Sequence, residues 1–79
     1  MDTLYRLQSV FRNVFDDPTL KITKETSTAS FPEWDSVAMV QIVLGTEVEF
    51  GIRFTTDAVA SIRSVADIAR LVENHAGNE

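Results

Sequence analysis

Asp35-Ser36-Val37-Ala38-Met39-Val40-Gln41-Ile42-Val43-Leu44-Gly45-Thr46-Glu47-Val48-Glu49-Phe50-Gly51 is the most informative stretch of this chain. It predicts a helix from Ser36 to Phe50. Asp35 or Ser36 supplies the N-cap, because a short polar side chain accepts from the orphan N–H groups of a first turn. Gly51 suits the left-handed position after a helix, and Ile52 the apolar position that follows it in a Schellman stop. With residues about 100° apart, Val40, Leu44 and Val48 fall within about 60° of Val37 and form one stripe. Met39, Ile42, Val43, Thr46 and Phe50 form a second stripe, centred roughly 160° away. A helix apolar all round belongs in a large core or a membrane. A chain of 79 residues has no large core, and its apolar runs fall short of the roughly 18 residues of a membrane span. Two arrangements stay open. In one, the Phe50 face packs on the other helices and the Val37 stripe is left exposed for a partner. In the other, helix one and helix four cover one face each. Gln41, Glu47 and Glu49 border the stripes.

Working outward, Leu4, Leu7, Phe11 and Val14 step by helical spacing and predict a first helix from Asp2 to about Phe15. Asp2 or Thr3 caps it, and Asp17-Pro18 ends it. The stretch from Asp16 to Glu33 carries Pro18, Pro32 and a Thr/Ser/Lys cluster with no helical period. A loop of this length inside a small domain is ordered by its own side chains, here Leu20, Ile22 and Phe31. Thr55 to Ile62 reads as a short helix opened by Thr55, Thr56 or Asp57. Ser64-Val65-Ala66-Asp67 matches a capping box, and Val65, Ile68, Ala69 and Val72 continue that last helix to about His75, with Gly77 after it. No segment alternates with period two. The expected fold is all-α, a small four-helix bundle of three longer helices and one short one, with a long loop between helices one and two. Residues 1–79 are read as a single domain.

Seven Lys and Arg against twelve Asp and Glu leave a net charge of −5. That argues against a nucleic-acid binder, which needs a basic patch, and against docking on anionic membranes. With no Cys there is no disulfide, thiolate metal site or Cys nucleophile. The one His, His75, is too little for a metal site or a His-based triad. It reads as a cation-capable residue near a helix C-terminus. Met1-Asp2-Thr3 lacks the basic start of a secretory signal, so the expectation is a cytoplasmic chain with no membrane insertion. Asp16-Asp17 offers too few oxygens for calcium and reads as solvated loop charge. Arg53, Arg63 and Arg70 are isolated. No base and orienting acid accompany Ser36, which rules out a serine hydrolase.

Ser36 at a helix start is first of all a good cap. The same place suits an attached phosphate, because helix N–H groups and the helix dipole favour an anion. Taken with Asp35-Ser36-Val37, the pattern Val40, Ile42-Val43, Glu47, Phe50-Gly51-Ile52 and Ser64-Val65-x-Asp67-Ile68 resembles the acyl carrier protein family over nearly the whole chain. The resemblance implies a 4′-phosphopantetheine arm joined to Ser36 by a phosphopantetheinyl transferase using coenzyme A. The arm's thiol would hold an acyl cargo as a thioester, in a specialised lipid or secondary-metabolite pathway, and the chain itself would not be an enzyme. It further implies a monomer whose partners are acyl-loading and acyl-transfer enzymes with basic docking patches. Carried over, the partner face is Val37, Val40, Leu44 and Val48 with Asp35 and Glu47 supplying charge. The cargo side is Met39, Ile42, Val43, Thr46, Phe50 and Ile62.

The departures from the family pattern are local. Val37 replaces the usual Leu, and Gln41 and Val48 stand where Glu is common, so helix two is less acidic and more apolar. Thr46 stands where a large aliphatic residue is common and reads as a backbone hydrogen-bonding residue. Gly45 beside it weakens the helix by about 1 kcal/mol relative to Ala. Trp34 reads as a cover over the end of the core, with stacking on the arm or a partner as its functional alternative. The alternative to an acyl carrier is a peptidyl or aminoacyl carrier of nonribosomal synthesis. The alternative to any carrier is a helical interaction module in which Ser36 is only a cap.

Overall fold

Leu7, Val10 and Phe11 are buried along one side of α1 (Thr3–Val14), and the chain assembles on that side. A computed structural model of the chain describes residues 3–77. The other helices are α2 (Ser36–Phe50), α3 (Thr56–Ala60) and α4 (Val65–Gly77). The fold is the expected all-α four-helix arrangement with a long first loop. Asp2 as a cap of α1 lies outside the described residues. The helix stops slightly before the expected Phe15, because Asp16 takes a left-handed φ of 53°. The Asp17 N–H then donates to the Arg12 carbonyl at 3.0 Å, the long return bond of a Schellman turn. Thr19 donates to the Asp17 carboxylate through both N–H and hydroxyl, and these bonds hold Asp17 below the usual carboxylate range.

The long loop is pinned from both sides. Ile22 is buried, and its N–H donates to Gln8 Oε1 at 2.9 Å. Arg12 Nε donates to the Leu20 carbonyl at 2.7 Å, and Phe31 lies against Phe15 with ring centres 4.8 Å apart. The loop also meets the segment leading into α4: Thr28 N–H donates to Arg63 O, and Val65 N–H to Thr26 O. These form an isolated antiparallel bridge between Ser27 and Ser64. One bridged pair is too short to leave a period-two pattern, so sequence periodicity did not announce it.

The start of α4 is satisfied completely, as buried backbone donors require. Val65 and Ala66 donate to loop carbonyls of Thr26 and Lys24. Asp67 N–H donates to Ser64 Oγ, while Arg63 and Ser64 N–H both donate to Asp67 Oδ2. Those donations, the Arg63 N–H foremost, with the Arg70 guanidinium 2.6 Å away, hold the Asp67 carboxyl below its ordinary value despite partial burial. A carboxyl whose pKa is lowered by folding contributes stability above its unfolded pKa and loses it as pH falls through the folded one. Asp67→Ala should therefore cost about 1–2 kcal/mol at neutral pH. Denaturant melts of the two proteins should converge as pH falls below about 4. A deficit that stays constant down to pH 2 would rule out the carboxylate as its cause.

The expectation that the inner face of α2 would rest on helices one and four is modified. That face lies chiefly on α1, which also packs against α4. The remaining volume is filled by Ile22, Trp34 and Ile62 from the connecting segments. Gly45 makes the close approach to α1, since a Cβ there would stand 2.9 Å from Val10 Cγ1. Val is stiff at χ1 and cannot swing aside cheaply. Gly45→Ala gains about 1 kcal/mol of helix propensity but incurs an overpacking cost of about 1–3 kcal/mol. The expected result is a net loss of stability in a thermal melt. Added to a Val10→Ala background, the same change should stabilise; equal effects in both backgrounds would show that the contact is not the reason for Gly45.

Candidate functional site: the head and outer face of α2

Two adjacent residues divide the work at the head of α2. Asp35 is the N-cap, in extended conformation, and its Oδ1 accepts from Ala38 N–H at 2.9 Å. Ser36 is the first helical residue and is exposed. Its hydroxyl makes no hydrogen bond among the described residues, and neither its N–H nor that of Val37 has a protein acceptor there. Of the two cap candidates in the sequence, Asp35 is used, which leaves the Ser36 hydroxyl with no part in holding the fold. An exposed hydroxyl beside two open N–H groups at the positive end of a 15-residue helix is suited to carry an anionic substituent.

Beside Ser36 lies an open hollow of about 470 Å³, bordered by Trp34, Met39, Val59, Ile62 and Arg63. Of the six residues assigned to the cargo side, only Met39 and Ile62 border it. Ile42, Val43 and Thr46 are buried in the packed interior. Thr46 donates its hydroxyl to the Ile42 carbonyl at 2.7 Å, the backbone bond expected of it. Phe50 is half-buried beneath the Arg6 guanidinium, 4.3 Å from its ring centre. Trp34 is 3% exposed and meets Phe11 edge-to-face at 5.2 Å. It covers the end of the core, and its indole N–H has no acceptor among the described residues.

The two arrangements left open by periodicity are now distinguished. Val37 is 66% exposed, Val40 58%, Leu44 56% and Val48 85%. The stripe is a surface feature running from Ser36 to the last turn of α2. Glu47, expected to supply charge to this face, also serves the fold. It is half-buried, and its Oε2 accepts from Phe54 N–H at 2.8 Å, tying down the segment after Gly51. Gly51 has the left-handed φ of 66° expected of it, with Ile52 N–H returning to Glu47 O. Arg6 was not visible as a site-shaping residue. Its Nε binds Glu49 Oε2 at 2.9 Å and its Nη2 binds the Glu49 carbonyl, a contact across 43 residues of sequence that no local pattern announces.

The structure thus presents a four-helix all-α fold with an exposed serine at the head of its second helix, and comparison with known proteins places it. No family model matches the chain. It is 29% identical over 73 residues to an acyl carrier protein of Acidothermus cellulolyticus, covering 92% of this chain and 87% of that one. It is 44% identical over 45 residues to acyl carrier protein 3, chloroplastic, of Cuphea lanceolata, covering 57% of this chain and 32% of that one. The solution NMR structure of holo acyl carrier protein from Geobacter metallireducens superposes with a TM-score of 0.87 at 33% identity, covering 99% of this chain and 90% of that one. The chain belongs to the acyl carrier protein family.

Proposed function

We propose that this carrier protein holds an acyl cargo as a thioester on a 4′-phosphopantetheine arm attached to Ser36. The single observation that supports the reading best is the separation of roles at the head of α2, where Asp35 caps the helix and Ser36 stays exposed and unbonded. The residues present fit the group. When bound, the arm supplies the thiol that the Cys-free chain lacks. Ser36 Oγ forms the ester to the coenzyme A phosphate next to the pantetheine, the nucleotide leaves as 3′,5′-ADP, and the serine proton passes to a base of the transferase. The open Ser36 and Val37 N–H groups and the helix dipole favour the resulting phosphodiester charge. The Met39–Ile62 hollow offers an apolar wall beside the attachment point.

In this reading the chain performs no catalysis of its own. It presents cargo to a phosphopantetheinyl transferase and to acyl-loading and acyl-transfer enzymes, in a specialised lipid or secondary-metabolite pathway and in the cytoplasm. No helix among the described residues is long and apolar enough to cross a membrane. The test is to incubate the purified chain with coenzyme A and a broad-specificity phosphopantetheinyl transferase and to measure the intact mass. The expected result is a gain of one arm per chain; an unchanged mass on a folded chain with an active transferase would overturn the reading.

A further inference from the structure

We propose that Arg63 is a positioning residue for the arm, its guanidinium holding the phosphodiester that forms on Ser36; the proposal rests on the carrier reading above. Arg63 is isolated by sequence spacing, but the fold brings it to the rim of the same hollow that Ser36 and Met39 border. Its backbone is clamped on both sides. The Arg63 N–H donates to Asp67 Oδ2 at 2.8 Å, and the Arg63 carbonyl accepts from Thr28 N–H at 3.0 Å beside the Ser27–Ser64 bridge. The side chain is tied by one nitrogen alone: Nη1 donates to the Ala60 carbonyl at 2.8 Å and to the Ile62 carbonyl at 3.2 Å. Nε and Nη2 donate to no group among the described residues, and no carboxylate pairs with this guanidinium there. The result is a cation fixed in place with part of its donor fork open.

Charge decides what those donors are for. The Asp35 carboxylate is on this rim as well, accepting from Ala38 N–H. A phosphodiester on the next residue sets a second negative charge beside it. The end of a helix offers only about half a positive charge, which does not balance two negative ones. The Arg63 guanidinium makes up the difference, and its planar fork matches phosphate oxygens. An exposed ion pair usually contributes little, because two long side chains must be ordered to form it. Here the arginine is already ordered by bonds that serve the fold, which removes much of that cost. A carboxylate carried by the cargo is the poorer match. The phosphodiester is the first group beyond Ser36 Oγ, where the hollow begins, whereas cargo hangs from the thiol at the far end of the arm.

The experiment loads the chain with the bare arm from coenzyme A and follows the arginine Nε–H signals by NMR, with intact mass reporting one arm per chain. The Arg63 signal, assigned by its loss in Arg63→Lys, is expected to shift on loading, while those of Arg6, Arg12, Arg53 and Arg70 stay in place. The phosphorus resonance of the arm should shift in Arg63→Gln. Thermal melts separate this role from a purely structural one, since Arg63 also bonds carbonyls at the end of α3. Loading should favour the melting temperature of the wild-type chain over that of Arg63→Gln by about 1–8 °C. That difference should vanish in about 1 M NaCl, where the screening length is about 3 Å. A stability loss equal before and after loading, with an unmoved Arg63 signal, would overturn the proposal while leaving the carrier reading intact. So would a signal that moves with succinyl coenzyme A as donor but not with coenzyme A or butyryl coenzyme A, an outcome that assigns the guanidinium to a carboxylated cargo. If the mass of the folded chain does not change, the carrier reading fails and the Arg63 proposal falls with it.

Discussion

Ser36→Ala is expected to abolish loading of the arm completely while leaving the fold as stable as before. The two halves of that result have separate physical causes. Loss of loading follows because the ester oxygen is gone and no other exposed hydroxyl stands at the head of α2; Thr46, the other hydroxyl of that helix, is buried and bonded to Ile42. Retained stability follows because the capping bond belongs to Asp35. Ala is also a better helix former than Ser by a few tenths of a kcal/mol. Asp35→Ala is the control. It should cost about 1 kcal/mol and leave the Ser36 hydroxyl in place. Intact mass after reaction and thermal melts of both variants check the pair. If Ser36→Ala lost as much stability as Asp35→Ala, the serine would be a structural residue and the helical interaction module would become the better description.

The second large effect is at Trp34. Trp34→Ala removes a nearly fully buried indole that closes the core over Phe11, and the expected loss is about 3–5 kcal/mol. That is a large share of the stability available to a domain of this size. Trp34→Phe should behave very differently. It keeps an aromatic face for Phe11 and removes an indole N–H that has no acceptor among the described residues. Deleting an unsatisfied buried donor recovers about 1–3 kcal/mol, which offsets the smaller ring. The net change expected in a denaturant melt is within about 1 kcal/mol, with loading of Ser36 within twofold of wild type. A severe loading defect in a stable Trp34→Phe chain would assign the indole to the arm or a partner, contrary to its role as a cover.

How far the sequence alone reaches is clearest at α2. Its helix, both ends and the two stripes were legible because caps, the left-handed Gly51 and a helical period are local properties, set within a few residues. The same holds for the α4 capping box and for Thr46, whose hydroxyl bonds one turn back along its own helix. Ser36 stood out by its place at a helix start and by resemblance, but its spacing could not say whether it or Asp35 was the cap.

Tertiary structure decided the rest, because those answers depend on which segments approach one another across the chain. Only packing shows that Gly45 admits Val10, that Arg6 closes the far end of α2, and that Glu47 turns back to Phe54 N–H. Only packing distinguishes an exposed Val37 stripe from a covered one, since periodicity counts apolar faces but not the surfaces available to bury them. The sequence by itself determined the helices, their ends and the serine. The three-dimensional fold determined which face of α2 meets α1, which meets solvent, and that the serine hydroxyl is left free of the fold. The reason is that hydrogen bonds along a helix are local, whereas burial is a property of the whole chain.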